Sequence, residues 1–261
     1  MKNNFAVTTG RGEGSALCTM AKSWAAQLGA CYIERTSKGS LAAICDEYHA
    51  EALLVATNAG PQVFTKQGVF FFHPGMAVLR LQHLQNGSKD HLLSALAVKA
   101  GMRVLDCTMG LAGDAAIISY AVGPEGLVVG LEASKLLHFV VTNGLQVYQA
   151  LSPELNNAMR RINTINIEAS EYLASARPDS FDAVYFDPMF QLAVSASSNM
   201  QPLRPLAYNK PLAVETVQLA LRVAPRVIIK ERSAELLRQF GCTEIFGGKY
   251  SRVKYGVTRR L

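Results

Sequence analysis

The chain is poor in the residues that would tie it to several common classes. Its five cysteines, Cys18, Cys31, Cys45, Cys107 and Cys242, are scattered, odd in number and never spaced C-x-x-C. That excludes a disulfide framework and a cysteine-type zinc site, and it points to a reducing cytoplasm. The five histidines form no H-x-x-x-H pair or His/carboxylate cluster at helical spacing, so no metal is expected. Apolar runs are broken by charge or glycine well short of the roughly 20 residues a membrane span needs. The opening Met1-Lys2-Asn3-Asn4-Phe5 lacks the apolar core of a signal peptide. No G-x-S-x-G elbow and no P-loop Gly-Lys-Ser/Thr run is present, which argues against common hydrolases and nucleotide triphosphatases. Charge is scarce too: 18% of residues are charged against 49% apolar, in a chain of 261 with a net charge of +6. Such a chain buries a sizeable core and is not disordered.

What is present is an alternation. Phe5–Thr8 reads as a strand and Ser15–Leu28 as an amphipathic helix, opening after the glycines of Gly10–Gly14. A second strand–helix unit spans about Cys31–His49. Strands are expected at Ala52–Ala56 and Val69–Phe72, and helices at Met76–Leu84 and Asp90–Ala100. From Gly101 onward short apolar strands (Arg103–Asp106, Gly126–Leu131, Ile162–Ile167, Ala183–Asp187, Arg226–Lys230) alternate with helical segments. The chain closes with an antiparallel-looking pair, Thr243–Phe246 and Arg252–Thr258. This predicts an α/β fold: a doubly wound, mostly parallel seven-stranded sheet over residues 69–261, preceded by a small α/β subdomain over 1–68. In such sheets ligands bind beyond the carboxyl ends of the strands, so the residues just after each strand carry the information.

The first of these strands ends in Asp106-Cys107-Thr108-Met109-Gly110-Leu111-Ala112-Gly113-Asp114. Gly110 and Gly113 would let the loop approach a ligand closely, or would simply make a strand–helix turn. The spacing is not G-x-G-x-x-G, which disfavours a dinucleotide oxidoreductase. The second strand closes on Glu132, a carboxylate able to accept from both hydroxyls of a ribose; the alternative is an acidic first turn capped by Ser134. The third ends near Ile167-Glu168-Ala169-Ser170-Glu171, which reads equally as an adenine slot or as a helix cap. The fourth ends in Asp187-Pro188-Met189-Phe190. There a carboxylate can accept from an exocyclic amine, a proline carbonyl can offer a second acceptor, and an aromatic face can stack a planar base. Asp-Pro also starts ordinary turns.

Taken together these motifs resemble a class I S-adenosylmethionine (SAM)-dependent methyltransferase, and most closely the RsmJ-like family of guanine-N2 methyltransferases of bacterial small-subunit ribosomal RNA. The family motif Asp-Ala-Thr-Ala-Gly-Leu-Gly-Arg-Asp-Ala is matched by Asp106–Ala115, and its Asp-Pro-Met-Phe/Tyr stands intact at Asp187–Phe190. Pro74-Gly75-Met76-Ala77, Val227-Ile228-Ile229-Lys230 and Gly248-Lys249-Tyr250-Ser251-Arg252 add weaker matches, so the resemblance covers about Val69–Leu261. It departs at Ala112 and Gly113, where the family has glycine and arginine, at Gln191, and in the Lys-poor loop Leu192–Asn209. The resemblance implies that SAM is the cofactor. Asp106, Gly110, Gly113, Asp114, Glu132, Ala133, Ser170, Glu171 and Asp187 would surround it, with Glu132 on the ribose and Ser170 and Glu171 flanking the adenine. Asp187, Pro188 and Phe190 would present the acceptor base. It implies an RNA partner, the small ribosomal subunit, and leaves the oligomeric state open.

Five of the 26 basic residues and none of the acids lie in 249–261: Lys249, Arg252, Lys254, Arg259 and Arg260, interleaved with Tyr250 and Tyr255. That end is a candidate RNA surface, or an edge strand protected by charge. Arg80, His83 and Lys89 form a sparser basic group. Two other readings keep the cofactor: a methyltransferase acting on a protein or small molecule, and a non-catalytic SAM-binding ribosome-assembly module.

Overall fold

The computed structural model describes residues 4–11, 14–35, 39–188, 210–248 and 251–260. They form two compact units, one containing the residues up to His73 together with Lys135–Val147, the other containing 74–134, 148–188 and the described residues from 210 onward.

In the first unit, β1 (Phe5–Thr9), α1 (Ser15–Leu28), β2 (Cys31–Tyr32), α2 (Leu41–Glu47), β3 (Ala52–Thr57), β4 (Gly60–Thr65) and β5 (Gly68–Phe71) follow in order. The sheet runs β2-β1-β3-β4-β5. β1 is parallel to both β2 and β3, whereas β3, β4 and β5 form an antiparallel meander. The turn-rich Asn58-Ala59-Gly60-Pro61 does not predict the β4 strand. The turn is only Asn58-Ala59, and Pro61 enters a strand that alternates buried and half-buried residues.

The second unit holds α3 (Ala77–Gln85), α4 (His91–Leu96), β6 (Arg103–Asp106), α5 (Gly113–Val122), β7 (Leu127–Leu131), α7 (Pro153–Arg160), β8 (Ile162–Ile165), α8 (Ala169–Ser175), β9 (Ala183–Phe186), α9 (Val214–Val223), β10 (Arg226–Glu231), α10 (Ala234–Gln239), β11 (Glu244–Phe246) and β12 (Lys254–Arg259). The helix between β7 and α7 in the chain, α6 (Lys135–Val147), belongs to the first unit. There Phe139 meets Trp24 edge to face at 5.3 Å, and Gly144 leaves room for the Phe72 ring.

The second sheet has seven strands in the order β11-β12-β10-β9-β6-β7-β8. The pairings β10–β9, β9–β6, β6–β7 and β7–β8 are parallel, and β12 runs antiparallel to β10 and β11. β9, Ala-Val-Tyr-Phe, is wholly buried, as a central parallel strand covered on both faces must be. Leu105, Val129, Val184, Phe186, Val227 and Ile229 pack with Leu173, Val217 and Ala220 of the α8 and α9 helices. The expected strand–helix alternation is therefore present. α7 is an addition: Ser152 accepts from the Leu155 N–H and Pro153 opens the helix, a start signal passed over in the sequence. β12 is a correction. The edge-strand alternative does not hold: it lies between β10 and β11 with a full ladder to β10 from Arg226↔Arg259 to Glu231↔Lys254.

Candidate functional site

The carboxyl ends of β6, β7 and β9 converge at the middle of the seven-stranded sheet, where the chain crosses first to one side and then to the other. Beyond β6 the loop stays tied to its neighbours: the Cys107 N–H donates to the Tyr185 carbonyl and the Met109 N–H to the Leu131 carbonyl, both at 2.9 Å. Met109 lies over Gly130, where a Cβ would fall 2.5 Å from its sulfur, so β7 needs glycine at that point. Gly110 takes φ +50° and Ala112, the residue before α5, φ +58°. The left-handed positions of the turn are thus Gly110 and Ala112. At Gly113 a Cβ would make an ordinary 3.5 Å contact with the Pro74 carbonyl.

Asp106 is 1% exposed and accepts from the Thr108 N–H at 3.0 Å. Burial, with Asp114 and Asp187 nearby, pushes its carboxyl up to about 8. Glu132 is 9% exposed and spans the turn, accepting from the Gly110 N–H at 3.2 Å and the Ser134 N–H at 2.7 Å. Burial raises its carboxyl above the ordinary value, and these N–H groups oppose the rise. The carbonyls of Glu132 and Ala133 accept from the Asn166 amide, which holds this strand end beside that of β8. Ser170 and Glu171 open α8, and both donate their N–H groups to Glu168, to which the Ser170 hydroxyl also donates. The helix cap, the alternative reading of this segment, is therefore formed, with the Glu168 carboxylate at its centre.

Around Asp187 lies a chain of ions absent from the sequence reading. Lys230, the last but one residue of β10, stands 2.7 Å from Asp187 Oδ2 and 3.1 Å from Asp114 Oδ2. The Tyr185 hydroxyl donates to the same Asp114 oxygen at 2.8 Å, and Arg80 grips the other. Arg80 also donates twice to Asp90 at 2.8 and 3.1 Å. Arg80 belongs to the sparser basic group of the sequence but is no free surface charge: its side chain is only 20% exposed, and it serves as a strut between two acids. Burial works against the charge of Asp114, yet Lys230 and then Arg80 hold its carboxyl below the ordinary value. Asp187 goes the other way. Burial lifts it to about 6 although Lys230 opposes the rise. Its backbone N–H donates to the Thr108 hydroxyl at 2.5 Å, fixing the β9 end to the β6 turn. Tyr255 of β12 is pushed up to about 12, by burial first and then by the nearby Asp114 charge.

The structure thus brings Asp106, Gly110, Asp114, Glu132 and Asp187 to one place and sets Ala133, Ser170 and Glu171 at the adjoining strand ends. Pro188 follows Asp187, half-buried. Phe190 and Met189 lie outside the described residues. Sequence reasoning missed Thr108, Tyr185 and Lys230 as site residues. Lys230 had a signal: it closes an apolar run, as Asp106, Glu132 and Asp187 do. The basic C-terminal strand is less free than its charge suggests, since Arg259 pairs with Glu244 at 2.7 Å and Arg260 with Asp179 at 2.5 Å. Lys249 and Tyr250 lie outside the described residues. Among the described residues no helix is long and apolar enough to cross a membrane, and no group of three or more His, Cys, Asp or Glu could hold a metal.

Comparison with known proteins gives a consistent picture. The family model "Putative SAM-dependent methyltransferase" matches residues 61–254. The uncharacterized protein YpiP of Bacillus subtilis is 38% identical over 208 residues, covering 78% of this chain and 80% of its own. Ribosomal RNA small subunit methyltransferase J of Francisella tularensis is 27% identical over 162 residues, 59% of this chain and 65% of that protein. Among solved structures, a SAM-dependent methyltransferase of Neisseria gonorrhoeae superposes with a TM-score of 0.61 at 15% identity, covering 97% of this chain and 95% of that one. That likeness is one of fold.

Proposed function

The chain belongs to the SAM-dependent methyltransferase family, and from that membership we propose that it methylates the N2 amine of a guanosine in small-subunit ribosomal RNA. The observation that carries the reading is Asp187 with Pro188 at the end of β9, tied to the β6 turn through Thr108 and flanked by Lys230.

The residues present fit SAM by their chemistry. The cofactor carries a sulfonium and an α-ammonium, and the strand ends supply carboxylates. Among the described residues no cation lies within ion-pair distance of Asp106, whose carboxyl is pushed up to about 8, by burial first and then by the nearby Asp114 and Asp187 charges. Glu132, at the end of β7, has the position and acceptor oxygens to hold ribose hydroxyls. Gly110 and Ala133 line the same end, while Asp114 is committed to Arg80, Lys230 and Tyr185 and braces the wall. When bound, SAM supplies an already activated methyl group.

The protein's task is then alignment. An exocyclic guanine amine is a weak nucleophile because its lone pair is delocalised into the ring. Asp187 accepts from one N–H and the Pro188 carbonyl from the other, which turns the lone pair toward the methyl. Lys230 holds Asp187 Oδ2 and so sets the carboxylate's orientation. The proton that the amine gives up on methylation would pass to the Asp187 carboxylate, which accepts its N–H, and from there to solvent. Phe190 is assigned the stacking face. The name of the Francisella relative supports ribosomal RNA as the acceptor.

The deciding assay follows labelled methyl from SAM into stripped ribosomal RNA, assembled small subunits, DNA and total protein in parallel. Label in a guanosine of the small-subunit RNA is expected. Label confined to protein overturns the RNA reading. Tight cofactor binding with no label in any arm favours a non-catalytic module.

A further inference from the structure

The strand that delivers Asp187 carries one polar side chain, and nothing in the proposed reaction uses it. β9 is wholly buried at the centre of the parallel sheet, where branched aliphatic residues are usual, yet it holds Tyr185 with 0% exposure. Val184 and Phe186 pack with Val217 and Ala220 of α9 on one face of the sheet, as Val227 and Ile229 of β10 do. By strand alternation Tyr185, Asp187 and Lys230 stand on the other face. A buried tyrosine hydroxyl needs a partner, and that of Tyr185 is Asp114.

The choice of that partner bears on Lys230. Asp114 Oδ2 accepts from the Tyr185 hydroxyl at 2.8 Å and from Lys230 Nζ at 3.1 Å, while the same Nζ stands 2.7 Å from Asp187 Oδ2. Asp114 Oδ1 is taken by Arg80, which continues to Asp90, the cap of α4. Charges therefore alternate from Asp90 through Arg80, Asp114 and Lys230 to Asp187, and three acids share two cations. The other ionisable groups facing Asp187 are Asp106 of β6 and Glu231 of β10, both acids, with Tyr255 of β12 opposite Lys230 in the ladder. Among the described residues Lys230 is the one cation within ion-pair distance of Asp187. What Asp114 takes from Lys230, Asp187 loses. Tyr185 gives Asp114 Oδ2 a neutral donor, so Asp114 draws less on Lys230, and the lysine stands nearer to Asp187 than to Asp114.

We propose that Tyr185 and Asp114 are positioning residues for the acceptor amine: between them they set how Lys230 is divided, and so the orientation and charge of the Asp187 carboxylate. This rests on the reading of Asp187 as the group that receives the amine. Lys230 occupies Asp187 Oδ2, so an incoming N–H is accepted by Oδ1. A lysine drawn toward Asp114 would release Oδ2, let the carboxylate turn and weaken the hold on its ionised form. Neither Tyr185 nor Asp114 needs to touch substrate or cofactor to do this.

The test follows the Asp187 carboxyl of the full chain by carbon-13 NMR as pH is varied, with the pH profile of methyl transfer measured beside it and SAM binding as the control for folding. Tyr185→Phe removes one oxygen and keeps the ring. It should raise both midpoints by about half a pH unit, because Asp114 then draws harder on Lys230. Asp114→Asn should lower them by about one pH unit, because Lys230 passes wholly to Asp187 and a like charge is lost. In a Lys230→Met background Tyr185→Phe should leave the midpoint where it is, since its route is gone. A tyrosine that only fills the core would lower thermal stability and move neither midpoint. A carboxyl midpoint unchanged by Tyr185→Phe or raised by Asp114→Asn overturns the proposal. So does a Tyr185→Phe shift undiminished by Lys230→Met, or a carboxyl midpoint that moves while the rate profile stays. Absence of methyl transfer to RNA by the unaltered protein overturns the guanosine reading instead. The carboxyl titration needs no acceptor and still decides whether Tyr185 and Asp114 divide Lys230.

Discussion

The turns after β1 and β6 use the same backbone device and carry opposite side chains. Each follows a parallel strand at the point where its sheet changes winding direction, each contains glycine, and each leads into a helix. After β6, Asp114 stands in the first turn of α5, so the chain's own acid meets the positive end of that helix. Around it Arg80 and Lys230 are bound to carboxylates, while Asp106 and Asp187 are held above the ordinary carboxylate range. After β1 there is no acid in the first helical turn, and Arg11 and Arg35 lean across the gap. The backbone does not set the charge of such a turn; the flanking side chains do.

The contrast breaks first at Asp187. Asp187→Ala should lower methyl transfer to ribosomal RNA by about a hundredfold to a thousandfold, with SAM affinity changed only slightly. Undiminished transfer by a folded, cofactor-binding variant would remove the acidic turn's catalytic half. Glu132→Gln should next weaken SAM binding by about ten- to a hundredfold in equilibrium dialysis, through lost charge-assisted bonds to the ribose.

A subtler expectation concerns pH. The Asp106 and Asp187 carboxyls lie above the ordinary value of 3.8 at about 8 and about 6, so each favours the fold when protonated. That contribution is complete below about 4 and is lost as pH rises through those values. A cationic cofactor favours the ionised forms. The thermal stabilisation given by SAM should therefore grow between pH 6 and 8, and Asp106→Asn should flatten that growth. Methyl transfer should rise through about pH 6 as Asp187 ionises. Because Lys230 lowers the Asp187 value, Lys230→Met should move the midpoint upward, which a merely structural role for Lys230 would not do. The smallest effect is at Ala112, which holds a left-handed conformation without glycine. Ala112→Gly should stabilise the fold by about 0.5–1 kcal/mol in thermal denaturation.

The alternation from Gly101 onward was legible because buried parallel strands are short apolar runs, and each run's closing polar residue marked a strand end. The ion chain was not legible, because its members meet only through topology. Arg80, Asp114, Tyr185 and Lys230 come from four separate elements, with 34, 71 and 116 residues separating Asp114 from its three partners. Ala112 shows a different limit. A glycine scan marks Gly110 and Gly113, but the backbone placed its second left-handed residue one position earlier. The Gly60-Pro61 pair misled because proline is tolerated on a meander strand when its missing N–H is not needed.

The position of β12 has a consequence for the order of events during synthesis. β11 precedes β12 in the chain, yet β12 is the strand that joins β11 to the rest of the sheet. Until Lys254–Arg259 leaves the ribosome, β11 has no strand to pair with among the described residues and β10 presents an open ladder beside Lys230. The nascent chain would thus hold most of its core while the strand beside Lys230 was missing. A chain stopped just short of Lys254 loses an inner stave, not a trimming, and exposes an adhesive strand.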